Sequence, residues 1–185
     1  IDFSTYPTAS GRNSTTFEKI RVYHNTLYRN RLNGITFDRN VNMDPSIIDT
    51  KDNKFKNNII SETENYSIRV GQTGIDWRTY LFERNNNSDT KKTNTVYIKD
   101  LTGAVRTVSS LENEFPNVFK SNIINQPLFI NQKILDEAHA RPQNFRLNNL
   151  SDFFNAYALT TTSPGKNQGI HLASVTASGT GSRFT

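Results

Sequence analysis

The sequence predicts an all-β chain wound as a right-handed parallel β-helix, a β-solenoid, and three observations carry that prediction. The octets "NKFKNNII" (53–60) and "NVFKSNII" (117–124) are near copies, and "NTLYRNRL" from Asn25 and "YLFERNNN" from Tyr80 are looser ones. Aligned on their apolar residues they give Leu27, Phe55, Phe82 and Phe119, at intervals of 28, 27 and 37 residues. Periods of this size belong to stacked or radial repeats. The segments between are short, alternating and bounded by Asn, Asp or Gly, as in "KIRVYHN", "NGITFDRN", "NYSIRVG" and "TVYIKDL", so each repeat supplies strands rather than paired amphipathic helices. Two dozen Asn and nine Gly favour many bends over long helices.

The elements follow in chain order. Residues 1–16 read as the end of a preceding coil or a loop, 17–160 as coils and a terminal cap, and 161–185 as the start of a C-terminal β extension. Strands of neighbouring coils lie about 4.8 Å apart, so equivalent positions pile into ladders. Leu27, Phe55, Phe82 and Phe119 are expected to form an apolar ladder, with Asn25 and Asn53 forming an amide ladder beside it. In this register Thr26 lies on Lys54 and Tyr28 on Lys56, and Ile35 and Phe37 map onto Ile68 and Val70 as a second strand. The longer last interval demands an insertion. Ser109 with Glu112 has the form of a capping box and Pro116 closes the segment, which predicts a short helix over 109–115.

Bulk properties narrow the function. The net charge is +5 with a pI near 9.5, and the 22 Lys and Arg are scattered, which suits an acidic partner without the basic helix of a nucleic-acid module. There is no Cys, which removes disulfides and thiolate chemistry. No apolar run nears the roughly 20 residues that cross a bilayer, so no membrane insertion is expected. The chain opens on "IDFSTYPTAS" without a Met or signal peptide and ends on "ASGTGSRFT", and it reads as a piece of a longer protein.

The most specific stretch is "NIINQPLFINQ" (122–132) followed by "NFRLNNLSDFFNA" (144–156). It resembles the closing coils of the right-handed parallel β-helix repeat family, the pectate-lyase-like extracellular proteins. Many members there read "DPLF(V/I)(N/D)…DFRL…SPAIDAG". Gln126 and Asn144 stand where that pattern has Asp, and "LSDFFNAY" replaces its small-residue tail. The resemblance covers about residues 17–160, and the tail from Leu159 is similar to a small β-rich extension of some members. It implies an extracellular or cell-surface setting and a carbohydrate partner. The family holds lyases, hydrolases, tailspikes and non-enzymatic surface proteins, so the fold fixes no reaction.

A β-eliminating lyase must neutralise a uronate, take a proton with Lys, Arg, His or Tyr, and protonate the leaving oxygen. The substrate-binding candidates are Tyr28, Arg29, Arg31, Lys54, Lys56 and Trp77. Lys54 and Lys56 flank Phe55, which is equally the pattern of a solvated strand face, and Glu83 at the next equivalent position interrupts the basic stripe. Trp77 could stack on a sugar if exposed, and burial is the plainer reading. His24 reads as a hydrogen-bonded structural residue, and His139 and His171 are isolated, so zinc is not expected. Asp44, Asp49 and Asp52 lack the spacing of a calcium loop, and Ca²⁺ enters only with a lyase-like site. No constellation identifies a catalytic residue. The expected role is a structural, carbohydrate-binding or assembly module, with self-association through unpaired edges. The alternative is the non-catalytic C-terminal part of a polysaccharide lyase or glycoside hydrolase acting on acidic polysaccharide.

Overall fold

A computed structural model of the chain describes residues 1–5, 18–39, 51–88, 95–140 and 150–169. Asp44, Asp49, His171, Asn144 and the side chain of His139 lie outside the described residues, as do 6–16 and 170–185. The described chain is mostly β. Its strands are β1 (Asp2–Thr5), β2 (Arg21–Tyr23), β3 (Thr26–Tyr28), β4 (Asn33–Arg39), β5 (Lys54–Lys56), β6 (Ile59–Ser61), β7 (Tyr66–Val70), β8 (Leu81–Glu83), β9 (Asn86–Ser88), β10 (Val96–Ile98), β11 (Val105–Arg106) and β12 (Phe119–Lys120).

These strands form three sheets, ordered β1-β4-β7-β10-β11 (sheet one), β12-β8-β5-β2 (sheet two) and β3-β6-β9 (sheet three). The chain therefore visits sheets two, three and one in that order three times, and each strand pairs in parallel with its equivalent one circuit away. The exception is β11, which turns back at Gly103 (φ 61°) and pairs antiparallel with β10.

The register corrects one alignment. Phe55 pairs with Phe82 and Phe82 with Phe119 as expected, but the first member of that row is Val22, and Leu27 pairs with Ile60 in sheet three. Arg21 lies on Lys54 and Tyr23 on Lys56, so Thr26 and Tyr28 do not; their partners are Ile59 and Ser61. The pairs Ile35–Ile68 and Phe37–Val70 stand as read from the sequence. Inward side chains of all three sheets meet in one core, which includes Val22, Phe37, Phe55, Ile60, Ile68, Phe82, Val96 and Phe119.

The amide ladder is real but differently composed. Asn25, Asn58, Asn85 and Asn122 line up at separations of 33, 27 and 37 residues, whereas Asn53 instead accepts the Ile20 N–H at 2.9 Å. Asn58 donates both its backbone N–H (3.1 Å) and a side-chain N–H (2.8 Å) to Asn85 Oδ1, and its second amide hydrogen goes to the Val22 carbonyl (2.9 Å). Asn85 repeats this toward Asn122 Oδ1 and the Phe55 carbonyl. Two donors and a doubly used acceptor exhaust what an amide can offer, so these buried polar groups are satisfied. The row ends on Glu112, whose Oε1 takes the Asn122 N–H at 2.6 Å and Nδ2 at 3.0 Å.

Immediately before each ladder Asn the backbone is left-handed: His24, Asn57, Arg84 and Ser121 have φ between 51° and 57°. That conformation disfavours L-residues by roughly 1–2 kcal/mol. It recurs because it aims the corner N–H groups along the stack: His24 N–H reaches the Lys56 carbonyl (3.3 Å), Asn57 that of Glu83 (3.2 Å) and Arg84 that of Lys120 (3.1 Å).

The predicted helix appears as α1 (Val108–Glu114), one residue earlier than expected. Its cap is Thr107, which accepts the Ser110 N–H, not Ser109, and Glu112 serves the ladder rather than a capping box. Two helices were not foreseen, α2 (Gln132–Ala140) and α3 (Leu150–Ala156). With the Phe129–Leu159 bridge they build a second apolar cluster that packs on Tyr28 and Ile59, side chains on the outside of sheet three. Residues 161–169 contain turns, and the rest of the expected C-terminal extension, 170–185, lies outside the described residues.

Candidate functional site

Each sheet has an outer face, and the three differ. Sheet three is covered. Tyr28 packs edge-on against Phe129 at 5.2 Å, its hydroxyl bonds Asp136 at 3.2 Å and also Gln132, and Arg29 pairs with Asp136 at 3.0 Å. Burial pushes the Tyr28 hydroxyl up to about 12; the Asp136 charge adds to this, while Arg29 and Gln132 oppose it. Tyr28 and Arg29 thus fasten α2 to the sheet. Arg31 is exposed beyond the end of β3.

The outer face of sheet two is basic but paired. Lys54 lies 3.5 Å from Asp52, which also receives Arg21 at 2.9 Å, and the Arg21 hydrogen bond leads in holding the Asp52 carboxyl below its usual range. Tyr23, Lys56, Glu83 and Lys120 form one row across the sheet. Glu83 sits between Lys56 (2.8 Å) and Lys120 (3.7 Å). Burial raises its pKa, and the hydrogen bonds and charges of the two lysines more than reverse this, so the net direction is down. A depressed carboxylate stabilises the fold above its unfolded pKa of about 4.3, and that share is lost as pH falls through the folded value. We expect Glu83→Gln to lower stability by about 1 kcal/mol at pH 7 and the gap to wild type to close below pH 4, read from thermal melts across that range.

Trp77 lies in a 3-10 helix (Trp77–Thr79) and is fully buried. It meets Phe115 edge-on at 4.9 Å, and the Arg78 guanidinium covers it at 4.5 Å. It therefore offers no face to a sugar.

Sheet one presents a built surface. Thr36, Arg69 and Tyr97 are register partners on β4, β7 and β10, and they alternate with the buried Ile35, Phe37, Ile68, Val70, Val96 and Ile98. Arg69 Nη1 is 2.5 Å from Asp38, its guanidinium lies 5.9 Å from the Tyr97 ring centroid, and Tyr66 meets Tyr97 at 5.3 Å. Gly71 makes the arrangement possible: a Cβ there would stand 2.2–2.6 Å from the Arg69 guanidinium atoms. Beside it lies a groove of about 480 Å³ lined by Leu32, Asn33, Thr36, Asp38, Tyr66 and Arg69 among others. Charge, hydrogen-bonding groups and aromatic faces thus share one half-buried surface.

The sequence reading did not single out Asp38, Tyr66, Arg69 or Tyr97. The available signal was the pairing of Ile35 with Ile68, which places Thr36 beside Arg69 in the alternate, outward positions. Among the described residues no cluster of His, Asp and Glu is disposed to hold a metal ion, and no helix is long and apolar enough to cross a membrane. No protein-family model, curated protein or solved structure matches this chain. Among the described residues the chain is a repetitive β protein, its three sheets, parallel except at β11, sharing one apolar core.

Proposed function

We propose that the circuits are coils of a right-handed parallel β-helix in an extracellular or cell-surface protein, and that its outer sheet-one face binds an acidic polysaccharide. The observation that carries this reading is Arg69, held over Gly71 between Asp38 and Tyr97 beside the groove. A guanidinium has five N–H donors in a fixed fork, so pairing with Asp38 leaves donors for a uronate carboxylate. Asp38 and Thr36 accept sugar hydroxyls, and the tyrosine rings offer apolar faces. The net charge of +5 favours an anionic chain at long range. The resemblance of "NQPLFINQ" to extracellular β-helix proteins supports the same setting.

The test is affinity electrophoresis through gels containing polygalacturonate or alginate. Arg69→Ala and Tyr97→Ala are each expected to weaken binding about tenfold, equivalent to ~1.4 kcal/mol. Gly71→Ala should weaken it too, by displacing the guanidinium, while Lys54→Ala leaves it unchanged. Equal retardation of all four variants and wild type would overturn the assignment. Growth of the ultraviolet absorbance of unsaturated uronates during incubation would replace it with a lyase.

A further inference from the structure

The two ends of the stack differ. At the end reached last, β11 folds back over β10, α1 packs on β12, and Glu112 takes the backbone and side-chain N–H of Asn122. At the first circuit, nothing among the described residues pairs with the outer edge of β2 or β3. The rows break off there with their bonding groups unmet. Asn58, Asn85 and Asn122 each accept two N–H groups at Oδ1 from the circuit before, whereas Asn25 Oδ1 accepts none among the described residues. Each of those three also sends an amide hydrogen back to a carbonyl of that circuit, while Asn25 Nδ2 turns to its own Tyr23 carbonyl at 3.0 Å. Ile59, Asn86 and Ile123 donate their N–H groups to the Asn25, Asn58 and Asn85 carbonyls at 2.7–2.8 Å. Thr26 heads that row, and its N–H meets no carbonyl among the described residues. Arg21 stands likewise ahead of Lys54, which donates to Ile20 at 2.8 Å, and Leu81, which donates to Asn53 at 2.9 Å. The apolar rows are open too: Val22 is 8% exposed against 0–1% for Phe55, Phe82 and Phe119, and Leu27 is half-buried where Ile60 is fully buried.

An unpaired strand edge takes up another strand, with main-chain bonds supplying affinity and alternate side chains supplying specificity. The amide row decides which strand fits. An entering strand must place an Asn N–H and side-chain amide on Asn25 Oδ1, and an apolar residue three positions earlier over Val22. A second copy cannot do this. Head to head, each copy brings the same acceptor, and head to tail the donors of Asn122 are already held by Glu112. Charge selects the same partner. Residues 18–32 carry Lys19, Arg21, Arg29 and Arg31 against Glu18 alone, so two such edges repel and an acidic strand is attracted. We propose that the outer edges of β2 and β3 dock, in parallel, an extended segment of a partner protein with acidic outward positions and the pattern apolar-x-x-Asn. The segment closes the core over Val22 and Leu27 and adds one member to the amide row. Docking here does not depend on what the sheet-one face binds.

The probe is a fluorescent synthetic peptide with this chain's own residues 52–62 and the change Lys54→Glu, followed by anisotropy as the whole chain is added. In register it sets Phe55 over Val22, Asn58 over Asn25 and Ile60 over Leu27, and the altered position sets a carboxylate over Arg21. The peptide should bind, and the version that keeps Lys54 should bind more weakly. Asn58→Asp in the peptide replaces the amide donor with a carboxylate facing Asn25 Oδ1 and should weaken binding by about tenfold or more. In the protein, Asn25→Ala should lose a similar factor, and so should Thr26→Pro, which deletes an N–H that holds no other strand. Lys120→Ala, at the closed end, should lose nothing. Thermal melts verify that each variant is folded, and Asn25→Ala decides the matter if Thr26→Pro is not. No binding, equal binding of the Asn58→Asp peptide, or undiminished binding by Asn25→Ala would overturn the proposal. A dimer of the chain in sedimentation velocity that Asn25→Ala disperses would overturn it as well, and would give the edge to a second copy.

Discussion

Asn85→Ala is expected to lower stability by about 3–5 kcal/mol, measured as the shift in urea midpoint at constant slope. The side chain has four partners: it donates to the Phe55 carbonyl (2.8 Å) and Asn122 Oδ1 (3.2 Å), and accepts from the backbone and side-chain N–H of Asn58. Truncation strands the two Asn58 N–H groups and leaves the Phe55 carbonyl short of a donor in a fully buried corner, while Asn122 Oδ1 keeps the Asn85 backbone N–H; each orphaned group costs about 1–3 kcal/mol before relaxation. Asn25→Ala provides the contrast. Asn25 is exposed and only donates to Asn58 and the Tyr23 carbonyl, so water replaces it and the loss should stay under about 1 kcal/mol. Asn85→Asp keeps the acceptor and removes both donors, so a buried carboxylate faces two oxygens. Its folded pKa must rise, and the variant should regain stability as pH falls while wild type does not. Similar losses for Asn25→Ala and Asn85→Ala would mean the row is not acting as a buried ladder.

The ladder explains why left-handed corners persist. A corner N–H that points along the stack and an amide that spans it are two halves of one device, since both pair one circuit with the next at the point where strands stop. Neither half works alone, because a bend without the amide leaves backbone groups unpaired. Glu112 shows the logic at the end of the row. Where no fifth Asn is available, a carboxylate from the inserted helix supplies the acceptor.

Much of this was legible in the sequence. The repeated octets placed Phe55, Phe82 and Phe119 in one row because an inward position tolerates little but a large apolar side chain. The first copy went astray for a physical reason. The first two circuits each carry two inward apolar residues five apart, Val22 and Leu27 in the first and Phe55 and Ile60 in the second, and Leu27 is the closer match in size to Phe. Requiring Asn three residues after the apolar residue would have selected Val22 with Asn25, matching Phe55 with Asn58, Phe82 with Asn85 and Phe119 with Asn122. The outward face was harder to read. Thr36, Arg69 and Tyr97 share no chemistry, and only the register brings them together. Helices α2 and α3 escaped because their segments carry no repeat and bury their apolar side chains against each other and the outside of sheet three. Glu112 was read as the partner of Ser109, since local capping is the commonest use of an acid there, and tertiary demand prevailed.

Phe82→Ala should be the most damaging single core truncation, at about 3–5 kcal/mol from transfer and cavity alone. Phe82 is the middle of the stacked row, 4.8 Å from Phe55 at 15° and 5.0 Å from Phe119 at 13°, and it also touches Phe37 edge-on at 6.2 Å. Losing it removes two offset stacks, each contributing ~0.5–1.5 kcal/mol beyond burial. The neighbours cannot close the gap, because parallel pairing on both sides fixes the spacing of β5, β8 and β12. Phe119→Ala removes only one of the two stacks, so it should cost less. In a chain whose circuits contact mainly their neighbours, a hole in the middle uncouples the two sides. The urea transition of Phe82→Ala should therefore broaden or split, while that of Phe119→Ala shifts without splitting. A single sharp transition for Phe82→Ala with a loss under about 2 kcal/mol would mean the aromatic row is not what joins one circuit to the next.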